Sequence, residues 1–382
     1  MQSRIKYFFV FVLTLLLFLP AIQFLFQFPE IKNTWLAGKV EEVSKPKFTA
    51  ENWLNEIFQK HFAAYLEANA GYKPWLVRLT NEWQFRLFKD ADNNVVVGDD
   101  DWLYAKPYIE TFIGKDLENN DALLKRVART KYMQTLFDSA GKQCLFILAP
   151  GKASYAQEHI PETFLQKRNA KNNYTLLKID FEKEDVEHID FYNYFLSKKA
   201  TTPYPLFPKF GTHWSLYGAF VANDSIAKYI NRKSKWVLDG YKLNGIEISK
   251  QPRGTDKDLL DLMNLFSDLP SPALAYPKVM DNPSSSVHPT PTILVVGDSY
   301  MWTLYQCGVM PYIANKKSAY WYYGNTVYNY DILPTGVEIK NLNLKEELKN
   351  YDVVLFVFTE TDMINFDFNM TEKFISVLEK PQ

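Results

Sequence analysis

The feature that most constrains the fold is a short apolar run that ends in a glycine and a polar turn. Residues 293–296 are aliphatic throughout, which predicts a strand buried on both faces of a sheet. Gly297, Asp298 and Ser299 follow this run, and the next residues can open a helix. A strand covered on both faces is typical of a parallel sheet between layers of helices. The stretch therefore predicts an α/β fold.

The same alternation of apolar runs and helical stretches recurs along the chain. Further strands are predicted at 143–148, 189–191 and 353–358. Helices are predicted at 121–140, 215–232, 258–265 and 371–378. Residues 267–291 are rich in proline and serine and predict an irregular loop. The pattern indicates a mostly parallel sheet covered on both faces.

Ser299 lies at the predicted turn from strand to helix, where its hydroxyl would stand clear of the packed sheet. Amides at a helix N-terminus can hold an oxyanion that forms beside such a serine. Gly297 permits the tight turn. A simpler interpretation is that Asp298 or Ser299 only caps the helix. The turn therefore needs a nearby base before it indicates a nucleophile.

A second motif supplies a candidate base. Residues 210–217 read FGTHWSLY and place His213 between a turn and a helix that begins near Ser215. The pKa of histidine lies near neutrality, which suits a base that activates a serine. The chain has five histidines, and the other four lie in contexts without such a motif. The alternative for His213 is a ring packed against Trp214 and bonded to the backbone.

Together the two motifs resemble the SGNH-hydrolase-like domain of the alginate O-acetyltransferases, which are extracytoplasmic enzymes that acetylate polysaccharides. Residues 95–104, VVVGDDDWLY, and 148–161, LAPGKASYAQEHIP, are similar to further motifs of that family and occur in the same order. The resemblance covers about residue 95 to the end. It implies an SGNH-hydrolase-like three-layer α/β/α fold in which Ser299 takes the acetyl group and His213 is its base.

One position departs from the family's pattern. The family's Asp-x-His reads Gly-Thr-His here, with Gly211 in place of the usual triad acid. We expect Glu360 to orient His213, because it comes first after the apolar run at 353–358 and the carboxyl ends of parallel strands meet at one edge of the sheet. Asp362 is the other candidate acid, and a Ser-His dyad oriented by a backbone carbonyl is the alternative. Asp298 is expected mainly to brace the turn beside the nucleophile.

Further residues at the same edge are candidates for binding substrate. Lys152 follows the strand at 143–148 and either holds an anionic sugar or is a solvated loop lysine. Tyr322 and Tyr323 belong to the aromatic run YWYYGNTVYNY, which either stacks on a sugar ring or forms core and rim. Asn325 is a candidate oxyanion donor. The sequence contains no metal-ligand cluster, phosphate-cradling glycine loop or dinucleotide fingerprint, so we expect no cofactor.

The N-terminal apolar run predicts a membrane anchor. Residues 7–28 match the length of about 20 apolar residues that a spanning helix needs. A signal peptide has a shorter apolar core and a small-residue cleavage site, which fit less well. Arg4 and Lys6 precede the run, so the positive-inside rule places the N-terminus in the cytoplasm. We therefore expect an anchor at 1–28, a helical connecting region at 29–92 and the SGNH-like domain at 93–382, in the periplasm of a bacterial inner membrane.

Composition is compatible with this interpretation and excludes few others. At 382 residues and 47% hydrophobic, the chain can bury a sizeable core, and its net charge of -1 gives no reason to expect a nucleic-acid partner. Cys144 and Cys307 are too few for a disulfide framework. A bridge between them stays open in an oxidising compartment.

The sequence thus predicts an anchored enzyme that transfers acetyl groups to hydroxyls of an envelope or exported polysaccharide. The residues alone indicate acyl chemistry, and the transfer to a sugar follows from the resemblance. The resemblance also implies a multi-pass membrane protein that delivers the acetyl group. One alternative is a deacetylase or esterase that uses the same residues with water. Another is a catalytically weak carbohydrate-binding component of a modification complex, favoured by the missing acid and the aromatic run.

Overall fold

The chain divides into two units in the computed structural model. The structure describes residues 2–26, 36–38, 43–91, 94–118, 120–169, 171–282 and 288–379. The first unit comprises Met1–Asn93 and Leu260–Leu269. The second unit comprises Asn94–Leu259 and Pro270–Gln382. The inclusion of residues 260–269 in the first unit has no counterpart in the sequence prediction.

The second unit contains eleven strands among the described residues. They are β1 (Val95–Val97), β2 (Leu103–Ala105), β3 (Gln143–Leu148), β4 (His188–Asp190), β5 (Tyr241–Ser249), β6 (Leu274–Asp281), β7 (Ile293–Gly297), β8 (Ala319–Tyr322), β9 (Thr326–Tyr328), β10 (Pro334–Glu338) and β11 (Val353–Phe358). Seven of them form one sheet in the order β10-β9-β8-β7-β11-β3-β4. The five from β8 to β4 are parallel, and β9 and β10 are antiparallel additions. The predicted mostly parallel sheet is confirmed.

Alternating residues of the central strands feed two separate cores on the two faces of the sheet. One face carries Leu145, Val295 and Leu355 against helices α10 (Phe191–Lys198), α11 (Leu216–Lys233), α13 (Tyr300–Gln306) and α14 (Met310–Ile313). The other face packs against α6 (Asn120–Ser139), α9 (Asn173–Lys183), α15 (Leu344–Lys349) and α16 (Thr371–Leu378). This is the predicted three-layer α/β/α arrangement.

The two cysteines lie in different cores. Cys307 belongs to the core that contains α11 and α13, whereas Cys144 belongs to the core that contains α6. Both are buried and free. Because the sheet separates them, the disulfide that the sequence left open does not form in this fold.

The prediction of an irregular loop at 267–291 is partly wrong. Residues Leu274–Asp281 form β6, which pairs antiparallel with β5 in a two-stranded ribbon. Pro277 lies within β6, and a two-stranded ribbon tolerates proline because each strand has a free edge. The high proline and serine content therefore led to the prediction of a loop where a strand forms.

Smaller elements complete the second unit. β1 and β2 pair antiparallel and lead into α5 (Lys106–Phe112). Two short helices, α7 (Lys152–Tyr155) and α8 (Glu162–Leu165), follow β3. The outer strands of the large sheet are β4, of three residues, and β10, which includes Pro334 and Gly336.

The first unit is helical in its described residues. It contains α1 (Gln2–Phe26), α2 (Ala50–Leu54), α3 (Ile57–Ala68), α4 (Lys73–Phe88) and part of α12 (Asp258–Leu262). The connecting region was predicted to be helical, and within it Glu56 adopts a left-handed conformation (φ 59°) that separates α2 from α3. Within α1, Arg4–Phe24 is long and apolar enough to cross a membrane. Residues 29–35, in the predicted connecting region, lie outside the described residues.

Candidate active site

Ser299 lies at the carboxyl end of β7, in the residue before α13 begins. Gly297 is required there because a Cβ would lie 2.8 Å from the carbonyl oxygen of Val357 on the neighbouring strand β11. The close approach of β7 and β11 thus depends on a residue without a side chain. The chain turns sharply after Gly297, and Ser299 is left partly exposed at the edge of the sheet.

Asp298 braces this turn. Its Oδ1 accepts a hydrogen bond from the Tyr300 amide at 2.9 Å, and its Oδ2 accepts one from the Thr359 amide at 2.8 Å. The first bond caps α13 and the second joins the turn to the end of β11. Burial, and then the neighbouring carboxyl of Asp362, raise the pKa of Asp298 well above its usual range. These contacts match the bracing role expected from the sequence.

His213 lies between Ser299 and a carboxylate. Its Nε2 is 2.9 Å from Ser299 Oγ, and its Nδ1 is 2.6 Å from Asp258 Oδ2. The other oxygen of Asp258 accepts a hydrogen bond from the Thr212 amide at 2.8 Å, which fixes the carboxylate relative to the histidine loop. The predicted pairing of Ser299 with His213 is thus present. The arrangement is a Ser-His-Asp chain of hydrogen bonds.

The expectation that Glu360 orients His213 is wrong. Glu360 Oε1 accepts a hydrogen bond from the Gly151 amide at 2.9 Å, and Oε2 accepts one from Ser154 Oγ at 2.5 Å. Glu360 therefore caps the short helix α7 at the end of β3. Glu360 is the first acid after β11, as expected, but its side chain is buried toward the end of β3. Asp362, the other candidate, lies beside Asp298, and its Oδ2 accepts a hydrogen bond from the Thr361 hydroxyl at 3.2 Å.

The position of the family's acid is physically closed in this chain. A Cβ on Gly211 would lie 2.2 Å from the Thr255 carbonyl oxygen and 2.9 Å from the carbonyl carbon of Asp256. Backbone of the segment that leads to Asp258 thus occupies the space that a side chain at 211 would need. A side chain at 211 therefore does not fit, and the carboxylate that contacts His213 comes from Asp258 at the end of this segment.

Sequence reasoning missed Asp258 because it lies 45 residues from His213 and in no motif shared with the family pattern. A helix was predicted to begin at this residue, and an acid in the first turn of a helix is common for electrostatic reasons alone. The one signal was the loss of the acid at Gly211, which implied a replacement elsewhere. Nothing in the sequence distinguished Asp258 from the other acids.

Both interpretations of Lys152 are wrong. Its side chain is 1% exposed, and Nζ donates hydrogen bonds to the carbonyl oxygens of Leu103, Lys209 and Gly211 at 2.6, 2.7 and 2.8 Å. All three ammonium protons are therefore used inside the protein, which leaves none for a sugar. Burial lowers the pKa of Lys152, and the three carbonyl oxygens oppose this effect because they stabilise the ammonium form. The residue ties the loop that carries His213 to β2.

The aromatic run lies in β8, β9 and the turn between them. Tyr323 is 43% exposed, and its side chain lies beside Ser299. Tyr322 packs against Trp302, with ring centroids 5.4 Å apart. The side chain of Asn325 is exposed, and among the described contacts none joins it to Ser299. In this turn Tyr323, and not Asn325, reaches the serine.

The tyrosine after the nucleophile links the two motifs. The Tyr300 hydroxyl donates to the Thr212 carbonyl oxygen at 3.0 Å, and Trp214 Nε1 donates to the Tyr300 carbonyl oxygen at 3.2 Å. The His213 ring lies 5.0 Å from the Tyr300 ring. These contacts hold the imidazole over the strand end where Ser299 lies.

A mostly parallel sheet between helical layers, with Ser299, His213 and Asp258 assembled at its carboxyl edge, defines an SGNH-hydrolase-like domain. The sequence model of the family described as SGNH hydrolase-like domain, acetyltransferase AlgX, matches residues 95–306, more than half of the chain. The chain belongs to this family of acetyltransferases. A comparison with curated protein sequences finds no match.

Solved structures similar to this chain share little sequence with it. The O-acetyltransferase domain of Pseudomonas putida AlgJ is 16% identical, with 73% of this chain and 99% of that chain covered and a TM-score of 0.47. Pseudomonas aeruginosa AlgX is 14% identical, with 74% and 67% covered and a TM-score of 0.46. Bacillus cereus PatB1 is 13% identical, with 71% and 99% covered and a TM-score of 0.43.

Proposed function

We propose that this protein transfers acetyl groups to hydroxyls of an envelope or exported polysaccharide through an acetyl-Ser299 intermediate. The observation that carries the proposal is the hydrogen-bonded chain from Ser299 Oγ through His213 to Asp258. The sequence left open a catalytically weak carbohydrate-binding component, and the missing acid at Gly211 was one reason for that alternative. Asp258 removes that support, because it supplies a carboxylate to the same histidine.

In the first half of the reaction Ser299 attacks the acetyl carbonyl of the donor. The serine proton moves to His213 Nε2 as the new carbon–oxygen bond forms. Asp258 holds the proton on Nδ1 and stabilises the positive imidazolium. The leaving group of the donor then takes the proton from Nε2 as its bond to the acetyl carbon breaks.

In the second half a sugar hydroxyl attacks acetyl-Ser299. His213 Nε2 accepts the hydroxyl proton while the sugar oxygen bonds the acetyl carbon. The proton passes to Ser299 Oγ when the ester to the enzyme breaks, which restores the resting serine. Water in place of the sugar would release acetate, so an esterase would use the same groups.

Tyr323 is the side chain best placed to assist at Ser299. Burial raises the pKa of its phenol, so the hydroxyl stays neutral and can donate a hydrogen bond. We assign it the stabilisation of the oxyanion that forms on the acetyl carbonyl, together with the Ser299 amide. The exposed part of its ring remains available to the incoming substrate.

The proposal places the enzyme on the outer face of the bacterial inner membrane, with α1 as an uncleaved anchor. The last part of α1 supports this, because Gln23 is 6% exposed and packs beside Gly71, where a Cβ would lie 2.3 Å from the Pro20 carbonyl oxygen. A segment that is cleaved off needs no such fitted contact. A multi-pass membrane protein would supply the acetyl group from the cytoplasm.

The test uses the full chain with an activated acetyl ester and a neutral or acidic oligosaccharide as acceptor. Ser299→Ala and His213→Ala should each abolish acetylation of the oligosaccharide, and the double variant should be scarcely worse than either. Ser376→Ala and His61→Ala, at exposed positions, are matched controls that should retain activity. Full activity in the Ser299 and His213 variants would exclude the mechanism. Release of acetate without acetylated sugar would identify an esterase.

A further inference from the structure

Helix α4 carries a large apolar face that is exposed to solvent. Its side chains follow a spacing of three and four residues, which places them on one side of the helix: Trp75, Leu76, Leu79, Trp83 and Leu87. They are between 46% and 67% exposed. Monomeric soluble proteins rarely expose so many large apolar side chains side by side. We call this set the α4 apolar face.

The opposite side of α4 already holds the helix in its own unit. Phe85 is fully buried, and Asn81 Nδ2 donates to the Met263 carbonyl oxygen at 2.7 Å. These contacts set the rotation of α4, so the α4 apolar face is not part of the buried core of the first unit. It lies on the other side of the helix from Asn81 and Phe85, and only Trp75, in the first turn, also contacts the Phe266 ring, with centroids 5.3 Å apart.

The end of α1 fixes where α4 begins relative to a membrane. Phe24 of α1 packs on Tyr65 of α3, with ring centroids 6.2 Å apart, and Pro20 of α1 touches Gly71 in the turn between α3 and α4. The apolar segment Arg4–Phe24 has 21 residues, enough to cross the hydrocarbon core, so Pro20 and Phe24 lie at its outer boundary. Gly71 must then lie at that boundary, and α4 begins two residues later at Lys73.

We propose that the α4 apolar face is seated in the outer interface of the bilayer, beside α1. Tryptophan and leucine are the side chains expected at this depth, because the indole ring favours the boundary between headgroups and acyl chains. Lys73 starts the helix and Lys89 follows it, and positive charges near such a helix favour anionic headgroups. The occupant is lipid, continuous with the lipid around α1.

This inference rests on the anchoring of α1, which is part of the proposed function, but not on the chemistry of Ser299. A helix in the interface gives the first unit a second attachment to the membrane. A single span leaves rotation about its axis free, whereas a span and an interfacial helix together restrict it. The first unit is then a platform of fixed orientation on the membrane surface.

The experiment measures the surroundings of single spin labels on the full chain in nanodiscs of anionic phospholipid. Leu79→Cys and Leu87→Cys report on the α4 apolar face. Leu15→Cys, in the apolar part of α1, is the control for lipid, and Ser376→Cys, exposed on α16, is the control for water. Cys144 and Cys307 are buried and stay unlabelled in the folded protein.

Labels at 79 and 87 should be accessible to oxygen and protected from a water-soluble nickel chelate, as the label at 15 is. Adding Trp83→Glu should raise nickel access at 79 without changing it at 15. Access to nickel like that at 376 would overturn the proposal. Protection from both reagents would also overturn it, because it indicates a protein contact such as a second copy. A label at 15 that lies in water would contradict the anchor and the proposal together, while acetyl transfer could still be intact.

Discussion

Asp258 makes two contacts that divide its role between structure and chemistry. One oxygen accepts a hydrogen bond from the Thr212 amide, and the other is hydrogen-bonded to His213 Nδ1. The carboxylate therefore positions both the loop and the ring. A carboxylate on Nδ1 selects the tautomer in which Nε2 can accept the serine proton. This function depends on the negative charge and not on the shape of the side chain.

We therefore expect Asp258→Asn to lower kcat strongly while the protein remains folded. The loss of the corresponding acid in a serine protease costs up to about 10⁴-fold. Glu360→Gln is the matched variant of a buried acid that does not touch His213, and its kcat should be close to wild type. Acetyl-transfer rates of the two variants decide the matter. A larger loss of kcat in Glu360→Gln than in Asp258→Asn would indicate that Glu360, and not Asp258, orients His213.

Gly211 should tolerate no side chain. In Gly211→Ala the new Cβ would meet the Thr255 carbonyl oxygen at 2.2 Å, so backbone must move, and overpacking of this kind costs about 1–3 kcal/mol. Gly240→Ala is the control, because its nearest contact would be an ordinary 3.7 Å. Urea denaturation should show a loss of stability only for Gly211→Ala. Equal stability of both variants would show that residues 255–258 move aside easily.

Glu360 should make stability depend on pH. Burial raises its pKa to about 7, from an ordinary value near 4.5. Between these values the unfolded chain loses the proton while the folded chain keeps it, so the free energy of unfolding falls as pH rises, by about 3 kcal/mol in total.

Glu360→Gln cannot ionise, so the decline in stability between pH 5 and pH 8 should be smaller for this variant than for wild type in urea denaturation. Other buried acids such as Asp256, whose pKa burial also raises to about 7, contribute equally to both proteins. Parallel declines in the two proteins would contradict the assignment.

At the level of secondary structure, the loop that carries His213 depends on a buried lysine. Lys152→Met would leave the carbonyl oxygens of Leu103, Lys209 and Gly211 without their donor. We expect the free energy of unfolding to fall by about 3 kcal/mol or more, and kcat to fall as the imidazole loses its fixed position. Lys317→Met, at an exposed lysine, should change neither. Wild-type thermal stability in Lys152→Met would show that water replaces the ammonium.

The elements that the sequence predicted well are those whose signal is local. β3 and β11 begin and end where their apolar runs do, because a strand buried on both faces leaves a continuous run. β8 and β9 were not recognised as strands, since their tyrosines suited either a binding surface or a core. Ser299 and His213 were found because each lies in a compact motif. Asp258 and Lys152 act through contacts between distant segments, which no local pattern encodes.

For the whole molecule, the orientation across the membrane is the first property to establish. Arg4 and Lys6 precede the apolar part of α1, so the N-terminus should stay in the cytoplasm and the rest should be exported. A reporter that is active only outside the cytoplasm, fused after Gln382, should be active. The same fusion with a reporter that needs the cytoplasm should be silent. If only the cytoplasmic reporter is active, the C-terminus lies in the cytoplasm, and an exported polysaccharide cannot be the substrate.

If the protein is anchored as proposed, molecules meet on one membrane surface, and the two outer edges of the large sheet then matter. Unpaired strand edges recruit one another, and molecules confined to one surface meet edge to edge far more often than molecules in solution. β10 presents Pro334, which lacks an amide proton, and Gly336, which favours an irregular backbone. At the other edge β4 is only three residues long. Neither edge offers a neighbour a continuous ladder, so the large sheet itself should not extend into an intermolecular sheet when molecules are crowded on a membrane.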